Sequence, residues 1–309
     1  MISKKSSQLI MLCWLVYSCS YIGKLSYNAN IVQIGNAYST DYAAVGMVST
    51  LFFFVYGAGQ IFNGIFCKRY NIKAVIFAAL TVSATMNLLV AITPSFELIK
   101  YFWIVNGAAM SFLWTSLIRL LSETLPGGDI PRATVVMGTT VATGTFIVYG
   151  LSSIFAATLS YRATFITAAS AMIAVAIIWL IAYDPLVSSL KEQISLTSTP
   201  CSENEAEKEQ KVVASKGTSS LPRSKGGIMI FLAVVAIFAV ADNFIKDGLT
   251  SWTPDILASL YSTPDWLSIL LTLLLPVLAI LGSFVAVYIQ KEQKASFFRS
   301  RSCSLSAPC

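Results

Sequence analysis

Histidine is absent from all 309 residues, and with it the commonest metal ligand and the side chain that most readily exchanges protons near neutral pH. Proton traffic would fall to carboxylates. Charge is scarce as well: Asp, Glu, Lys and Arg make up 12% of the chain, while hydrophobic types reach 56%. An ordinary soluble domain carries roughly a quarter charged residues, so a soluble globule is excluded. Six cysteines form no Cys-x-x-Cys pair or other metal-spaced cluster. Neither a disulfide framework nor a metal or other cofactor is expected. The net charge of +6 is too thinly spread to suggest nucleic acid, so what matters is where the 21 basic residues sit.

Uninterrupted apolar stretches predict membrane-spanning helices near residues 8–31, 43–66, 74–92, 98–121, 133–157, 161–183, 227–252 and 266–289. Each reaches about 20 residues, enough to cross a hydrocarbon layer of roughly 30 Å. The first, preceded by Lys4 and Lys5, looks briefly like a signal peptide at Ser18-Cys19-Ser20. It continues past those residues and further spans follow at once, which marks it as a span.

Short cytoplasmic loops carry excess Lys and Arg. With the N-terminus inside, only Lys24, Lys100, Arg162 and Lys246 of the 21 basic residues fall away from the cytoplasmic side. The expected product is a multi-pass protein of the cell membrane, with the bilayer as its partner and no oligomer required. Its domains divide as a six-helix bundle over 1–183, a disordered cytoplasmic linker over 184–226, a partial second bundle of two helices over 227–289 and an unstructured basic, Ser-rich tail over 290–309. The linker reading rests on Ser, Thr, Glu, Lys and Gln enrichment without the apolar content to order a chain. A second block matching the first would need four more helices, so a C-terminally incomplete chain is expected.

A Lys at mid-membrane costs about 2.5–3.5 kcal/mol on insertion scales, so charges inside spans stand out. Lys24, Asp242, Lys246 and Asp247 are the four here. Lys24 and Lys246 lie 19 and 21 residues beyond the basic flanks Lys5 and Lys225, at similar heights in the first helix of each block. The bland alternative is that both snorkel to the outer interface. Against it, Tyr17, Tyr21, Lys24 and Asn28 fall at i, i+4, i+7 and i+11, a polar face within an apolar span. Asp242 precedes Lys246 by four residues, which pairs them on one face; simple mutual neutralisation is the plainest consequence, and a coupling role for the carboxylate is the other. Tyr56, Gln60 and Asn63 repeat on one face of the second helix, Asn63 reading best as helix packing. Trp114 reads equally as lining or core. Gly138, Gly144 and Gly150 read as points of close helix approach.

Several segments resemble the major facilitator superfamily, and within it the organophosphate:phosphate antiporter group of glycerol-3-phosphate and hexose-phosphate transporters. Gly64-Ile-Phe-Cys-Lys68-Arg69-Tyr-Asn71-Ile-Lys73 resembles the cytoplasmic loop motif Gly-x-x-x-Asp-Arg-x-Gly-Arg-Arg, with Lys68 where the Asp belongs. Asn106-Gly107 and Trp114-Thr-Ser-Leu-Ile-Arg119 resemble the group's Trp-Pro-Pro-x-x-Arg region without its prolines. Tyr161-Arg162-x-x-Phe165 and Lys246-Asp-Gly248-x-x-x-Trp252-x-Pro254 are similar to Trp-Arg-x-x-Phe and Arg-Tyr-Gly-x-x-x-Trp-x-Pro. The resemblance implies an all-α membrane fold, a six-helix N-terminal bundle followed by the first two helices of a second, about eight spans in all. It implies a gating role for the Gly64, Arg69 and Lys73 loop, and puts Lys24 and Lys246 where the group's phosphate-gripping arginines fall. Tyr17, Tyr21 and Tyr56 then match substrate-lining aromatics. Where the group has Asn-x-x-His-Asn-x-Gly, this chain reads Gly138-Thr-Thr-Val141-Ala142-Thr-Gly144, which argues against assuming the same phosphate substrate.

The function expected is secondary transport of a small organic anion by alternating access, with Lys24, Lys246, Tyr17, Tyr21, Asn28, Tyr56 and Trp114 as the substrate-binding set and Asp242 as the coupling or ion-pair residue. A transporter-derived sensor that binds without carrying, and a nonfunctional fragment, are the competing readings. A membrane enzyme is disfavoured, since no paired intramembrane carboxylates or phosphate-cradling glycine loop is present.

Overall fold

The computed structural model describes residues 4–197, 231, 234, 238, 245, 248–275, 277 and 278. All regular structure among them is helical. In chain order the helices are α1 (Lys4–Ala29), α2 (Ile31–Tyr38), α3 (Tyr42–Phe66), α4 (Ile72–Ile92), α5 (Phe96–Met110), α6 (Leu113–Thr124), α7 (Ile130–Gly138), α8 (Thr140–Thr158) and α9 (Tyr161–Thr197). Helical residues 248–261 (α10) and α11 (Asp265–Thr272) follow.

Six stretches are long and apolar enough to cross a membrane: Lys4–Ala29, Ala43–Phe66, Ile72–Ile92, Phe96–Thr124, Gly127–Thr158 and Tyr161–Glu192. They coincide with the first six spans predicted from hydropathy. The fourth and fifth are each made of two helices. A turn at Ser111 and Phe112 separates α5 from α6, and Thr139 separates α7 from α8. Asn63 stabilises the first break by donating its amide hydrogens to the carbonyls of Phe112 (3.1 Å) and Ser111 (3.4 Å), which confirms it as a packing residue. Backbone groups freed from a helix inside hydrocarbon need such partners, because no water is there to supply them.

Asn30 ends α1 in a similar way, its amide reaching back to the Ser26 carbonyl (2.7 Å) and across to Ser152 Oγ (3.0 Å). The short helix α2 that follows was not evident from hydropathy. It closes on Ser39 in the left-handed region (φ 49), with Thr40 N–H bonding the Gly35 carbonyl at 3.1 Å. At the opposite end of the bundle, the Asn71 side chain caps α4 by accepting from the backbone N–H of Lys73 at 2.9 Å.

The core is layered along the bundle axis. Near the N-terminal end, Leu9, Cys13, Leu113, Leu117 and Trp179 pack together. At the far end Tyr27, Ile34, Phe52, Trp103 and Phe165 form an aromatic-rich layer. Two glycines set the spacing of the helices. A β-carbon at Gly107 would lie 2.8 Å from the Phe52 carbonyl, and one at Gly144 would lie 2.6 Å from the Ser18 carbonyl. Only glycine permits α5 to approach α3, and α8 to approach α1, this closely. Gly138 and Gly150 face open space instead, so the close-approach reading holds for Gly144 alone of the three.

One boundary differs from the expected organisation. The sixth span was expected to end at 183 and a disordered linker to begin at 184, but α9 runs on to Thr197 with Pro185 inside it. The reason is local packing: Val187 and Leu190 are buried against the N-terminal core layer, and Asp184 pairs with Lys73 at 2.6 Å. The rest of the expected linker, the tail and most of the seventh and eighth spans lie outside the described residues. The outward surface carries large apolar side chains, among them Phe54, Ile61, Ile65 and Ile181, each at least 70% exposed. Such a surface suits hydrocarbon rather than water.

Candidate functional site

Lys24 sits four-fifths of the way along α1, in a helix apolar enough to span, yet only 7% of it is exposed. Three rings surround its ammonium. Nζ lies 4.2 Å from the Tyr56 ring centroid, 4.9 Å from that of Tyr21 and 5.4 Å from that of Phe53. The two tyrosines reach it for different reasons. Tyr21 is on the same helix face, and Tyr56 arrives from α3, brought inward by the Gly107 approach. A cation over an aromatic face gains about 0.5–2 kcal/mol depending on desolvation, so three faces offset much of the burial cost of an ammonium.

The ring surface continues away from the cation. Tyr17 meets Tyr21 edge to face with centroids 5.3 Å apart and packs tilted against Trp114 at 4.7 Å. Tyr56 lies parallel to Phe52 at 6.0 Å. Tyr17 is buried, whereas Tyr21, Phe53, Tyr56 and Trp114 are half-buried and present part of their surface. Five of the residues predicted from sequence, Tyr17, Tyr21, Lys24, Tyr56 and Trp114, therefore form one contiguous group. Phe53 belongs with them and was missed, since a phenylalanine inside an apolar span carries no pattern of its own.

Asn28, the sixth predicted lining residue among those described, does different work. It is 2% exposed, and both ends of its amide are engaged. Its Nδ2 donates to Ser251 Oγ at 2.7 Å and its Oδ1 accepts from Ser49 Oγ at 2.8 Å. This ties α1 to α3 and to α10. Nearby, Tyr149 OH donates to the Thr250 carbonyl (2.7 Å) and Ser153 Oγ to the Trp266 carbonyl (2.7 Å). Ile269 of α11 and Leu273 just beyond it cluster with Val148 of α8 and with Ile22 and Leu25 of α1. Together these contacts join residues 250–273 to the far ends of α1 and α8. Lys246 and Asp242 lie outside the described residues.

Below that end, a hydrogen-bonded polar network crosses three helices. Ser26 Oγ donates to Asn87 Oδ1 (2.8 Å), and Asn87 Nδ2 donates to the carbonyls of Ser83 (2.9 Å) and Gly23 (3.3 Å). Ser83 Oγ donates to Asn106 Oδ1 at 2.5 Å, and Asn106 Nδ2 reaches the Gly23 carbonyl at 3.4 Å. These residues are all buried. The network fixes α1 against α4 and α5 directly behind Lys24, so the ammonium is held on a rigid support. Asn87, the one side-chain amide in the Ile72–Ile92 helix, is the residue by which the sequence could have signalled it.

At the near end the loop residues take defined places. Lys73 pairs with Asp184, and its backbone carbonyl accepts from Trp179 Nε1 at 3.1 Å. The Arg69 guanidinium lies 5.5 Å from the Phe66 ring, and Gly64 is exposed. The Lys73 contact joins α4 to α9 within one bundle. Among the described residues no group of three or more Cys, Asp or Glu side chains is arranged to hold a metal.

Comparison with known proteins accords with this architecture. Over a limited stretch the chain is similar to two proteins named membrane sensor protein UhpC. The one from Escherichia coli strain K12 is 25% identical over 124 residues, and the one from Salmonella typhimurium strain LT2 is 26% identical over 124 residues. In each case the match takes in 39% of this chain and 28% of the relative, so it spans less than a third of the relatives' length. The profile of the Major Facilitator Superfamily, in contrast, matches residues 13–305. A membrane protein of packed spanning helices, matched over nearly its whole length, this chain belongs to the major facilitator superfamily.

Proposed function

We propose that the chain moves a small organic anion across the cell membrane by alternating access, with the Lys24 ammonium as the anion's anchor. The observation that carries this reading is the burial of one ammonium among half-exposed ring faces, on a helix braced from behind by the Asn87 and Asn106 network. A cation and an anionic oxygen 4 Å apart attract by about 4 kcal/mol at an effective dielectric of 20. That offsets part of the anion's desolvation, and two such cations together can offset much of it. Lys246, at matching height in the second block, is proposed as the facing cation, and Asp242 as its ion-pair partner on the same helix face.

Alternating access requires one end of the path to be closed while the other is open. The bonds from Asn28, Tyr149 and Ser153 to residues 250–266 support closure at the far end. With the basic loops taken as cytoplasmic, that end faces outward and the N-terminus lies inside. The loop of Gly64, Arg69 and Lys73 would then act on the cytoplasmic side. The reading needs no cofactor and no enzymatic chemistry, and it is compatible with a monomer.

A second reading, a sensor that binds the anion without carrying it, is favoured by the name of both relatives, membrane sensor protein. Proteoliposomes separate the two. Carriage predicts saturable anion uptake that falls at least tenfold in Lys24→Gln and Lys246→Gln; saturable binding with no flux above protein-free vesicles overturns carriage and leaves the sensor.

A further inference from the structure

Resting on the alternating-access reading above, we infer that the hairpin of α6 and α7 turns as one unit about the breaks at Ser111–Phe112 and Thr139 while α5 and α8 stay fixed. The hairpin forms the halves of the fourth and fifth spans that lie toward the start of α1, and a short turn at Gly127–Asp129 joins its two arms. The two breaks lie at one level. Trp14 Nε1 of α1 donates to Thr139 Oγ1 at 2.9 Å, and Tyr17, less than one turn along, packs on Trp114 at the head of α6.

Both breaks are built to bend. A helix that bends inside hydrocarbon frees carbonyls that no water reaches, so a hinge there needs side chains to meet them. Asn63 donates to the carbonyls of Ser111 and Phe112, and Ser111 Oγ donates to that of Ala108 at 2.7 Å. In the fifth span the Thr139 hydroxyl donates to the Val136 carbonyl (2.8 Å) and the Thr140 hydroxyl to that of Met137 (2.5 Å). Hydroxyls bonded back onto the preceding turn also bend helices in their own right.

The two sides of the breaks are held differently. Directional bonds and close backbone approach lock α5 and α8: Asn106 on the Gly23 carbonyl, Asn30 on Ser152 Oγ, Gly107 against Phe52 and Gly144 against Ser18. The hairpin meets the bundle largely through apolar side chains, Leu117, Leu120, Leu121, Ala133 and Met137, whose attraction has no preferred direction and survives a small rotation. Trp114 rides on the hairpin against Tyr17, which meets Tyr21 beside the Lys24 ammonium. A turn of the hairpin therefore moves one part of the ring group around the proposed anchor.

Spin-label distances test this in the purified full chain in lipid nanodiscs, with Cys67, Cys201, Cys303 and Cys309 changed to Ala and the buried Cys13 and Cys19 retained. Two pairs cross the breaks: Tyr101→Cys with Ile118→Cys in the fourth span, and Val135→Cys with Ile154→Cys in the fifth. Two pairs lie within a unit: Tyr101→Cys with Ile154→Cys, and Ile118→Cys with Val135→Cys. All four positions are exposed. The hinge predicts distance distributions at least twice as wide, or split in two, for the crossing pairs only. Asn63→Leu and Trp14→Phe remove side chains that meet the breaks. Each is expected to change the width or the population ratio of the crossing pair in its span at least twofold, with the within-unit pairs unmoved. Equal widths for all four pairs in the parent and both variants overturn the hinge, and so does a within-hairpin pair as broad as the crossing ones. No anion is added, so either of those results leaves the anion-site reading to its own uptake test.

Discussion

The amide of Asn28 and the hydroxyl of Ser251 meet at 2.7 Å across 223 positions of sequence, and Ser49 completes the same amide from a third helix. Their meeting fixes the far end of the bundle against α10 at the level just beyond the Lys24 cage. Buried hydrogen bonds are worth about 1 kcal/mol each, but a hydroxyl or amide left without its partner costs about 1–3 kcal/mol. Asn28→Ala strands both serines. We expect it to loosen this end, read as a several-fold rise in the rate at which a thiol reagent labels Thr250→Cys in the Asn28→Ala background relative to the Asn28 parent. An unchanged labelling rate would mean that the Tyr149 and Ser153 bonds hold the end closed without it.

Removing the amide at position 87 tests the support behind the cage. Asn87 bonds Ser26, the Ser83 carbonyl and the Gly23 carbonyl inside an otherwise apolar layer. Asn87→Ala leaves the Ser26 hydroxyl short of an acceptor and opens a small void, for an expected loss of about 1–3 kcal/mol. Thermal unfolding in detergent should show a drop of several degrees.

Helix spacing gives a sharper effect. A side chain at Gly144 runs into the Ser18 carbonyl and Tyr21. Overpacking costs typically about 1–3 kcal/mol, and here it also displaces Tyr21 from the ammonium. Gly144→Val should therefore lower both the unfolding temperature and anion affinity, while Gly150→Val, facing open space, should lower neither.

The Lys73 to Asp184 pair should matter little to stability despite its 2.6 Å separation, because the Asp184 side chain is 67% exposed. Exposed pairs contribute about 0.2–1 kcal/mol. Lys73→Ala and Asp184→Ala are each expected to shift the unfolding midpoint by no more than a degree or two, and the double variant should show a coupling under about 1 kcal/mol. A larger coupling would place this pair among the determinants of the fold.

How far the sequence foretells this arrangement depends on the range of the interactions. The six spans are legible because hydropathy is local, and the Tyr17, Tyr21, Lys24 face is legible because helical spacing aligns it. Asn28 continues that face in register, so sequence places it with the lining. Its partners, 21 and 223 residues away, engage both ends of its amide, which register alone does not foretell. Phe53 joins the cage through the tertiary approach of α3, which no local pattern encodes. Polar composition past Asp184 suggested a linker, yet two apolar residues, Val187 and Leu190, suffice to continue α9 against a prebuilt core. Breaks at Ser111 and Thr139 escaped notice because apolar residues run straight through them.

The account stands on the charge at position 24, and a charge series measures it. Anion affinity is to be compared by calorimetry in the Lys24 parent, Lys24→Arg, Lys24→Gln and Lys24→Met, all monodisperse. An attraction of about 4 kcal/mol, reduced by residual solvent, corresponds to at least tenfold in affinity. The expected result is retention within about threefold for Arg and a loss of tenfold or more for Gln and Met alike. Undiminished affinity in Lys24→Gln would contradict the account.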